Sequence, residues 1–221
     1  VGFLVHGLTG SRAHASGDIV DRLQAHYRSI KGYSARFTEE TRLPGTGPPQ
    51  IRKGRVEILI PSRMKWDYDD PDKSDMVVDG SRLWLVHSKR DEAFFWDLDR
   101  DSQMPLGYGF LMGVGDVRKS FDVESTRTEN HEWILLLKPR DAAHKEQPIR
   151  LSVKDGPPTI TGLEMKGGMG ETVRLRFEEF AEQKDFPEGT FVYKPGPKTR
   201  VRDARELLSA PPPWPRSGDD D

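Results

Sequence analysis

The sequence contains no cysteine and no long apolar run. Its 221 residues therefore carry no disulfide, no thiolate zinc site and no lipidated cysteine. No stretch approaches the roughly 18 apolar residues that suggest a membrane-spanning helix. Hydrophobic residues make up 34% and charged residues 32% of the chain, which is enough for one core. The net charge of −2 excludes the basic footprint of a nucleic-acid-binding protein.

The sequence also lacks a recognisable catalytic or metal-binding pattern. The six histidines show no spacing typical of a metal site, such as His-x-x-x-His. The paired carboxylates Asp69/Asp70 and Glu178/Glu179 are placed in turns or on polar faces, where solvated surface is expected. Gly167–Gly170 lies between two predicted strands and indicates a hairpin turn rather than a phosphate-binding loop. We therefore expect no catalytic residue, no cofactor and no metal.

Hydrophobic periodicity predicts one amphipathic helix followed by a long β-region. Apolar residues fall at helical spacing from Ile19 to Ile30, after which the period changes to two. About ten strands joined by short turns indicate an antiparallel meander, either a closed barrel or a strongly curved open one. The predicted strands cover residues 33–38, 56–60, 64–68, 76–78, 83–87, 94–96, 121–124, 133–137, 149–153, 160–165, 173–177 and 191–193.

Residues 104–117 break this alternation. The segment is apolar and contains glycines at positions 107, 109, 113 and 115, so we expect a loop with one or two short helices. An apolar segment with little regular structure needs a partner, and we predict a moving lid over the mouth of a cavity. A rigid helical plug is the alternative. The predicted lid contacts are Leu106, Phe110, Leu111 and Met112.

The apolar face of the sheet is rich in large side chains, among them Phe37, Met64, Trp66, Trp84, Phe95 and Trp133. A curved sheet must bury its concave face against something, so these residues either fill a core or line a ligand cavity. The strand around Trp84 is apolar on both sides, which leaves its register open. The predicted cavity is lined by Tyr27, Phe37, Ile58, Met64, Trp66, Leu83, Leu85, Trp133 and Leu135.

Five motifs follow one another along most of the chain: Arg22–Thr38, Lys53–Pro71, Val78–Trp84, Met104–Gly113 and Phe191–Pro197. The first is a helix followed by a strand of the type S-F-x-A-x-F-x-Q, and the third is of the type x-D-G-x-x-L-W. Each motif alone is weak, but their shared order and spacing are specific. Together they resemble the LolA family of outer-membrane lipoprotein carriers.

The resemblance implies an incomplete antiparallel β-barrel, or half-barrel, covered by a helical lid. It also implies carriage rather than catalysis. A periplasmic monomer would take triacylated lipoproteins from an inner-membrane transporter and deliver them to an outer-membrane receptor. In the family, an arginine directly before a strand-ending proline latches the lid. Here that latch position is Ile60, and Arg63, beyond Pro61, is the candidate substitute.

The two ends of the chain lie outside this core pattern. Residues 1–15 fit the remnant of a signal peptide, with Ala13–Ala15 as a small-x-small cleavage site. We expect residues 16–201 to form the LolA-like domain. Residues 202–221 are proline-rich, and we expect a flexible tail.

Three other functions are compatible with these patterns. One is another lipid- or hydrophobic-ligand-binding protein of the same half-barrel fold, including an envelope stress sensor. A second is an enzyme on a LolA-like scaffold, although no residue pattern supplies an acid, base or nucleophile. A third is a purely structural β-domain. A lipid that co-purifies with the protein would distinguish a carrier from a structural protein.

Overall fold

The fold was analysed in a computed structural model that describes residues 12–45, 47–69, 74–98, 106–112, 116–127, 132–140, 148–167 and 170–204. Side chains are described for these residues except 12–18, 106–108 and 125–127. The helices are α1 (Arg12–Ser29), α2 (Leu106–Leu111) and α3 (Val117–Ser120), with a short 3₁₀ turn at Ser88–Arg90. The strands are β1 (Gly32–Arg42), β2 (Gln50–Leu59), β3 (Arg63–Tyr68), β4 (Ser74–Val78), β5 (Arg82–His87), β6 (Glu92–Asp97), β7 (Phe121–Arg127), β8 (Glu132–Pro139), β9 (Ile149–Lys154), β10 (Thr159–Lys166), β11 (Thr172–Gln183) and β12 (Arg200–Asp203).

The twelve strands form one sheet in the order β12-β6-β5-β4-β3-β2-β1-β11-β10-β9-β8-β7. All the pairings are antiparallel except that between β12 and β6. Within the described residues, β12 and β7 are the two edges and do not pair with each other, so the barrel is open. The predicted mainly-β half-barrel is therefore confirmed.

Residue types account for the local geometry of the first five strands. The alternation of buried and exposed positions along β2 and β3 follows the period of two that the sequence shows. Gly54 lies under the ring of Phe37, and a Cβ there would approach the Phe37 ring to 2.7 Å. Gly80 has φ = 102° in the β4–β5 hairpin, a conformation that favours glycine. The predicted Asp79-Gly80 turn is therefore confirmed.

One face of the sheet, called the inner face below, carries the main core. The apolar side of α1 contributes Ile19, Leu23 and Tyr27, all buried in the same cluster as the inward side chains of the strands. Arg22 of α1 pairs with Asp155 at 3.1 Å, which ties the helix to the β9–β10 turn. α1 thus covers part of the inner face.

A smaller apolar cluster lies on the opposite, outer face, and it corrects one prediction. Trp84 and Phe95 were expected on the same apolar face as Phe37 and Trp66, but they point outward and pack with Val77 and Val86. Tyr193 covers them, with its ring centroid 5.2 Å from that of Trp84. Because both sides of β5 are apolar and covered, alternation could not assign its register.

The end of the chain also departs from expectation. The predicted strand at residues 191–193 is wrong: Phe191 ends a turn, and Val192 and Tyr193 are irregular. Prolines at 187, 195 and 197 cannot donate to a strand ladder, which accounts for the irregular path. The strand that forms instead is β12, after which Ala204 is buried in the main core.

The break in alternation between β6 and β7 contains two short helices, as predicted. In α3, the carboxylate of Asp116 caps the helix by accepting hydrogen bonds from the backbone N–H groups of Arg118 and Lys119. The Arg118 guanidinium also donates to Asp21 of α1 at 2.9 Å. Residues 104, 105 and 113–115 of the predicted lid lie outside the described residues.

Candidate ligand-binding site

The residues predicted to line a cavity lie together on the inner face. Eight of them are buried, and Leu83 is partly buried against the same cluster. They come from α1 and five strands: Tyr27, Phe37, Ile58, Met64, Trp66, Leu83, Leu85, Trp133 and Leu135. The inner face is thus continuous and apolar, and acyl-chain binding by these residues stays a prediction.

Cross-strand pairing arranges part of this face as a row, called the Tyr33–Trp96 row below. Each member is directly opposite the next on the neighbouring strand, so their side chains project from the same side. The row crosses β1 to β6 and includes three of the predicted lining residues. Its members are Tyr33, Ile58, Met64, Val78, Leu83 and Trp96.

Aromatic side chains form the centre of the inner face. The Phe37 ring meets Trp66 edge-on at 4.7 Å and Tyr68 at 5.0 Å between centroids. The indole N–H of Trp66 donates to the sulfur of Met64 at 3.0 Å. Met64 is unbranched and flexible, so it can adapt its packing within this group of rings.

A buried ion pair lies at the end of the inner face away from α2. Glu39 is only 1% exposed, and its carboxylate accepts hydrogen bonds from Arg52 and from the Tyr68 hydroxyl, the latter at 2.9 Å. The Arg52 guanidinium also stacks 4.5 Å from the centre of the Tyr68 ring. The sequence analysis missed this network, although Glu39 continues the inward alternation of Tyr33, Ala35 and Phe37 along β1.

Helix α2 contacts the inner face through its predicted lid residues. Leu111 and Met112 are buried, and the Phe110 ring lies 5.1 Å from that of Phe121. The hydroxyl of Tyr33 donates a hydrogen bond to the backbone carbonyl of Leu111 at 2.8 Å. Burial raises the pKa of this tyrosine well above its usual value, so the hydroxyl keeps its proton. The side chain of Leu106 lies outside the described residues.

Tyr27 supports Tyr33 from α1. The two rings meet edge-on at 5.5 Å, and the Tyr27 hydroxyl accepts a hydrogen bond from the backbone N–H of Ile160 at 3.2 Å. Desolvation raises the pKa of Tyr27, so it too stays neutral. On its other side, Tyr33 stacks on Phe180 at 4.8 Å.

The predicted latch position has no polar group in this chain. Ile60 is half-buried and packs against the main core. Arg63 is exposed, and its Nε lies near Gly80 in the β4–β5 turn. The role of Arg63 as a lid latch stays a prediction, whereas the Tyr33–Leu111 hydrogen bond is a direct polar contact between the sheet and α2.

A separate hollow of about 860 Å³ lies on the outer face of β1, β11, β10 and β9. Its walls carry four cationic and four acidic side chains, among them Arg174, which pairs with Glu164 at 2.8 Å and Glu40 at 3.5 Å. A charged lining of this kind does not suit an acyl chain. The apolar inner face is therefore the better candidate site.

Within the described ranges, no group of three His, Cys, Asp or Glu side chains is arranged to hold a metal ion. No helix among the described residues has the length and apolar character needed to cross a membrane. The described residues form an open antiparallel half-barrel whose apolar inner face packs against α1 and α2.

Comparison with known proteins identifies the family. Residues 28–194 match the family described as outer membrane lipoprotein carrier protein LolA, and the chain belongs to it. An outer-membrane lipoprotein carrier protein from Alkalilimnicola ehrlichii is 27% identical over 175 residues, covering 78% of both chains. One from Halorhodospira halophila is 26% identical, covering 81% of this chain and 88% of the relative.

The fold is also found in a solved structure. A crystal structure of an uncharacterized conserved protein from Thermus thermophilus covers 86% of this chain and 99% of its own, with a TM-score of 0.53 and 12% identity. At that identity the likeness concerns the fold alone.

Proposed function

We propose that this protein carries lipoproteins across the periplasm, with their acyl chains held against the inner face. The observation that supports the proposal most is the continuous apolar face that joins α1, α2 and the predicted lining residues in one buried cluster. The curated relatives named as lipoprotein carriers add a second, independent line of support.

The energetics explain why such a carrier is needed. Each methylene removed from water is worth about 0.8 kcal/mol, so a triacylated protein released into water would aggregate or insert at random. An apolar face covered by a helix that can move supplies a reversible substitute for the bilayer. Binding of this kind needs no catalysis, and we propose that the protein is not an enzyme.

The helix that moves in this proposal is α2. It is short, and it is joined to the sheet by the Leu111 and Met112 side chains and by the hydrogen bond from Tyr33. A six-residue helix has little stability of its own, so its position depends on these contacts. We propose that acyl chains take the place of Leu111 and Met112 on the inner face.

The proposed partners are an inner-membrane lipoprotein-releasing transporter and an outer-membrane receptor. A carrier must present its cargo site to each of them in turn. We therefore propose that it acts as a monomer, because a tight homodimer that covered the inner face would hide the site. Light scattering of empty and loaded protein would measure this directly.

The test is recovery of the cargo. The full chain would be purified from the periplasm of cells that make triacylated lipoproteins, and co-purifying material would be identified by mass spectrometry. Acylated polypeptides in a one-to-one complex would support the proposal. Free lipids without a polypeptide would replace it with a lipid-binding role, and deacylated products would indicate an enzyme.

Transfer forms the second half of the test. Inner-membrane vesicles with a labelled triacylated lipoprotein and the releasing transporter would be incubated with the protein, and label in the supernatant would be measured. Release that depends on the protein is expected. In a separate binding measurement with the purified protein, a lipoprotein with its acylated cysteine replaced by serine is the control cargo, and equal binding of this cargo would contradict the proposal.

A further inference from the structure

Trp96 lies at the β6 end of the Tyr33–Trp96 row. It is directly opposite Leu83, and its side chain is 5% exposed within the main apolar cluster. Between Tyr33 and Trp96, the members of the row have hydrocarbon side chains, except that Met64 contains a thioether sulfur. Trp96 is therefore the residue of the row that brings a strong hydrogen-bond donor to this end of the inner face.

The indole N–H of Trp96 has no acceptor. Its Nε1 is buried and makes no hydrogen bond to any residue that the structure describes. Trp66 on β3 differs, because its Nε1 donates to the Met64 sulfur at 3.0 Å. A buried N–H without a partner is unfavourable and rare in folded proteins, and it is often explained by a ligand or water that completes the bond.

We infer that the Trp96 indole N–H donates a hydrogen bond to an ester or amide carbonyl of the bound acylated ligand. This inference rests on the proposed function, since it assumes that acyl chains occupy the inner face. The chain that carries the carbonyl would lie along the apolar row, with Leu83 as its nearest neighbour across the strands. Trp96 would thus bind the carbonyl group at which the hydrocarbon chain joins its ester or amide linkage.

The surroundings specify an uncharged acceptor. A phosphate or carboxylate would need a cation or several donors, and the row supplies neither. A pure hydrocarbon would leave the indole N–H unpaired and gain nothing from it. An ester or amide carbonyl is neutral, accepts one hydrogen bond readily and is directly attached to an acyl chain.

A matched pair of ligands tests the inference. One is a diacylglycerol with two palmitoyl esters, and the other is its dihexadecyl ether analogue, which lacks the carbonyl groups. Binding to the intact protein would be measured by displacement of a fluorescent fatty acid. A hydrogen bond formed in a buried site raises binding affinity by about a factor of ten. Wild type should therefore bind the ester about tenfold more tightly than the ether.

Two substitutions complete the design. Trp96→Phe keeps a flat apolar ring but removes the donor, and it should bind both ligands equally and with the affinity of wild type for the ether. Trp84→Phe removes an indole from the outer face, where Trp84 packs under Tyr193, and should keep the tenfold preference. Equal ester-to-ether ratios in wild type and Trp96→Phe would overturn the inference and leave the proposed function standing. Failure of wild type to bind either ligand would overturn both.

A spectroscopic readout avoids reliance on a variant that folds poorly. The chain has five tryptophans, so its indole ¹⁵N–¹H cross-peaks are few and can be assigned by substitution. Addition of the ester should move the Trp96 cross-peak downfield, whereas the ether should not. A Trp96 cross-peak that responds identically to both ligands would contradict a carbonyl acceptor.

Discussion

The hydroxyl of Tyr33 and the backbone carbonyl of Leu111 are joined by a buried hydrogen bond of 2.8 Å, although 78 positions separate the two residues in the sequence. The bond links the first strand of the sheet to the short helix α2. Since a buried hydroxyl that loses its acceptor has no water to replace it, separation of α2 from the sheet carries a cost. Tyr33 therefore favours the covered state of the inner face.

Tyr33→Phe should loosen α2 without disturbing the stacking of the ring on Phe180. Loss of one buried hydrogen bond costs about 1 kcal/mol, and the cost should fall on the docking of α2 rather than on the sheet. Amide hydrogen exchange in residues 106–112 should quicken by about fivefold. Tyr68→Phe is the control, because its hydroxyl is also buried but donates to Glu39 at the other end of the inner face. Unchanged exchange in α2 would rule out this role for Tyr33.

The buried Glu39–Arg52 pair should be far more sensitive than ion pairs at the surface. Glu39→Gln leaves the Arg52 guanidinium buried without its countercharge, which typically costs about 3–5 kcal/mol. The exposed Lys138–Glu124 pair is the matched control, and Glu124→Gln should cost less than about 1 kcal/mol. Urea unfolding of both variants measures the contrast. Equal losses would mean that Glu39 contributes no more than a surface charge.

The two-residue period predicted the inner face correctly where one side of a strand is polar. Ile58 and Met64 alternate with Glu57 and Lys65, so only one register buries the apolar set. The same logic fails for Trp84, because the chain covers both faces of β5. The cover on the outer face is Tyr193, more than 100 positions away, and no local pattern records that contact.

Sequence patterns could not predict the polar contacts of the site, for a different reason. A charged residue such as Glu39 is expected to face water, and only its partners Arg52 and Tyr68 make burial tolerable. Pairing between positions far apart in sequence is a property of the folded sheet. The segment around α2 was recognisable from its lost alternation, but the Tyr33 contact that holds it was not.

Acidic substitution in α2 should weaken acyl binding more than folding. Leu111→Glu at the end of α2, or Met112→Glu directly after it, places a carboxylate against the inner face, and α2 has six residues whereas the sheet has twelve strands. Affinity for a fluorescent fatty acid should fall at least about tenfold, while the melting temperature falls by only a few degrees. Val192→Glu, at a half-exposed position outside the inner face, is the control. An unchanged affinity would remove α2 from the binding site.

Asp75 should make stability depend on pH between about 4 and 6. Partial burial, and then the negative charge of Asp67 directly opposite on β3, raise the Asp75 pKa from 3.8 to about 6. The folded state therefore binds a proton more tightly than the unfolded chain, so this contribution favours folding at low pH and is lost as pH rises through about 6. Each pKa unit is worth about 1.4 kcal/mol, and solvent screening of a partly exposed carboxyl reduces the effect to about 1 kcal/mol.

Asp75→Asn should accordingly stabilise the protein by about that amount at pH 7.5 and by much less at pH 4.5, as measured by urea unfolding at both pH values. Asp67→Asn should give a smaller gain of the same sign, because it removes the opposing charge but leaves Asp75 partly buried. A stabilisation by Asp75→Asn that is equal at the two pH values would exclude this carboxyl as the titrating group.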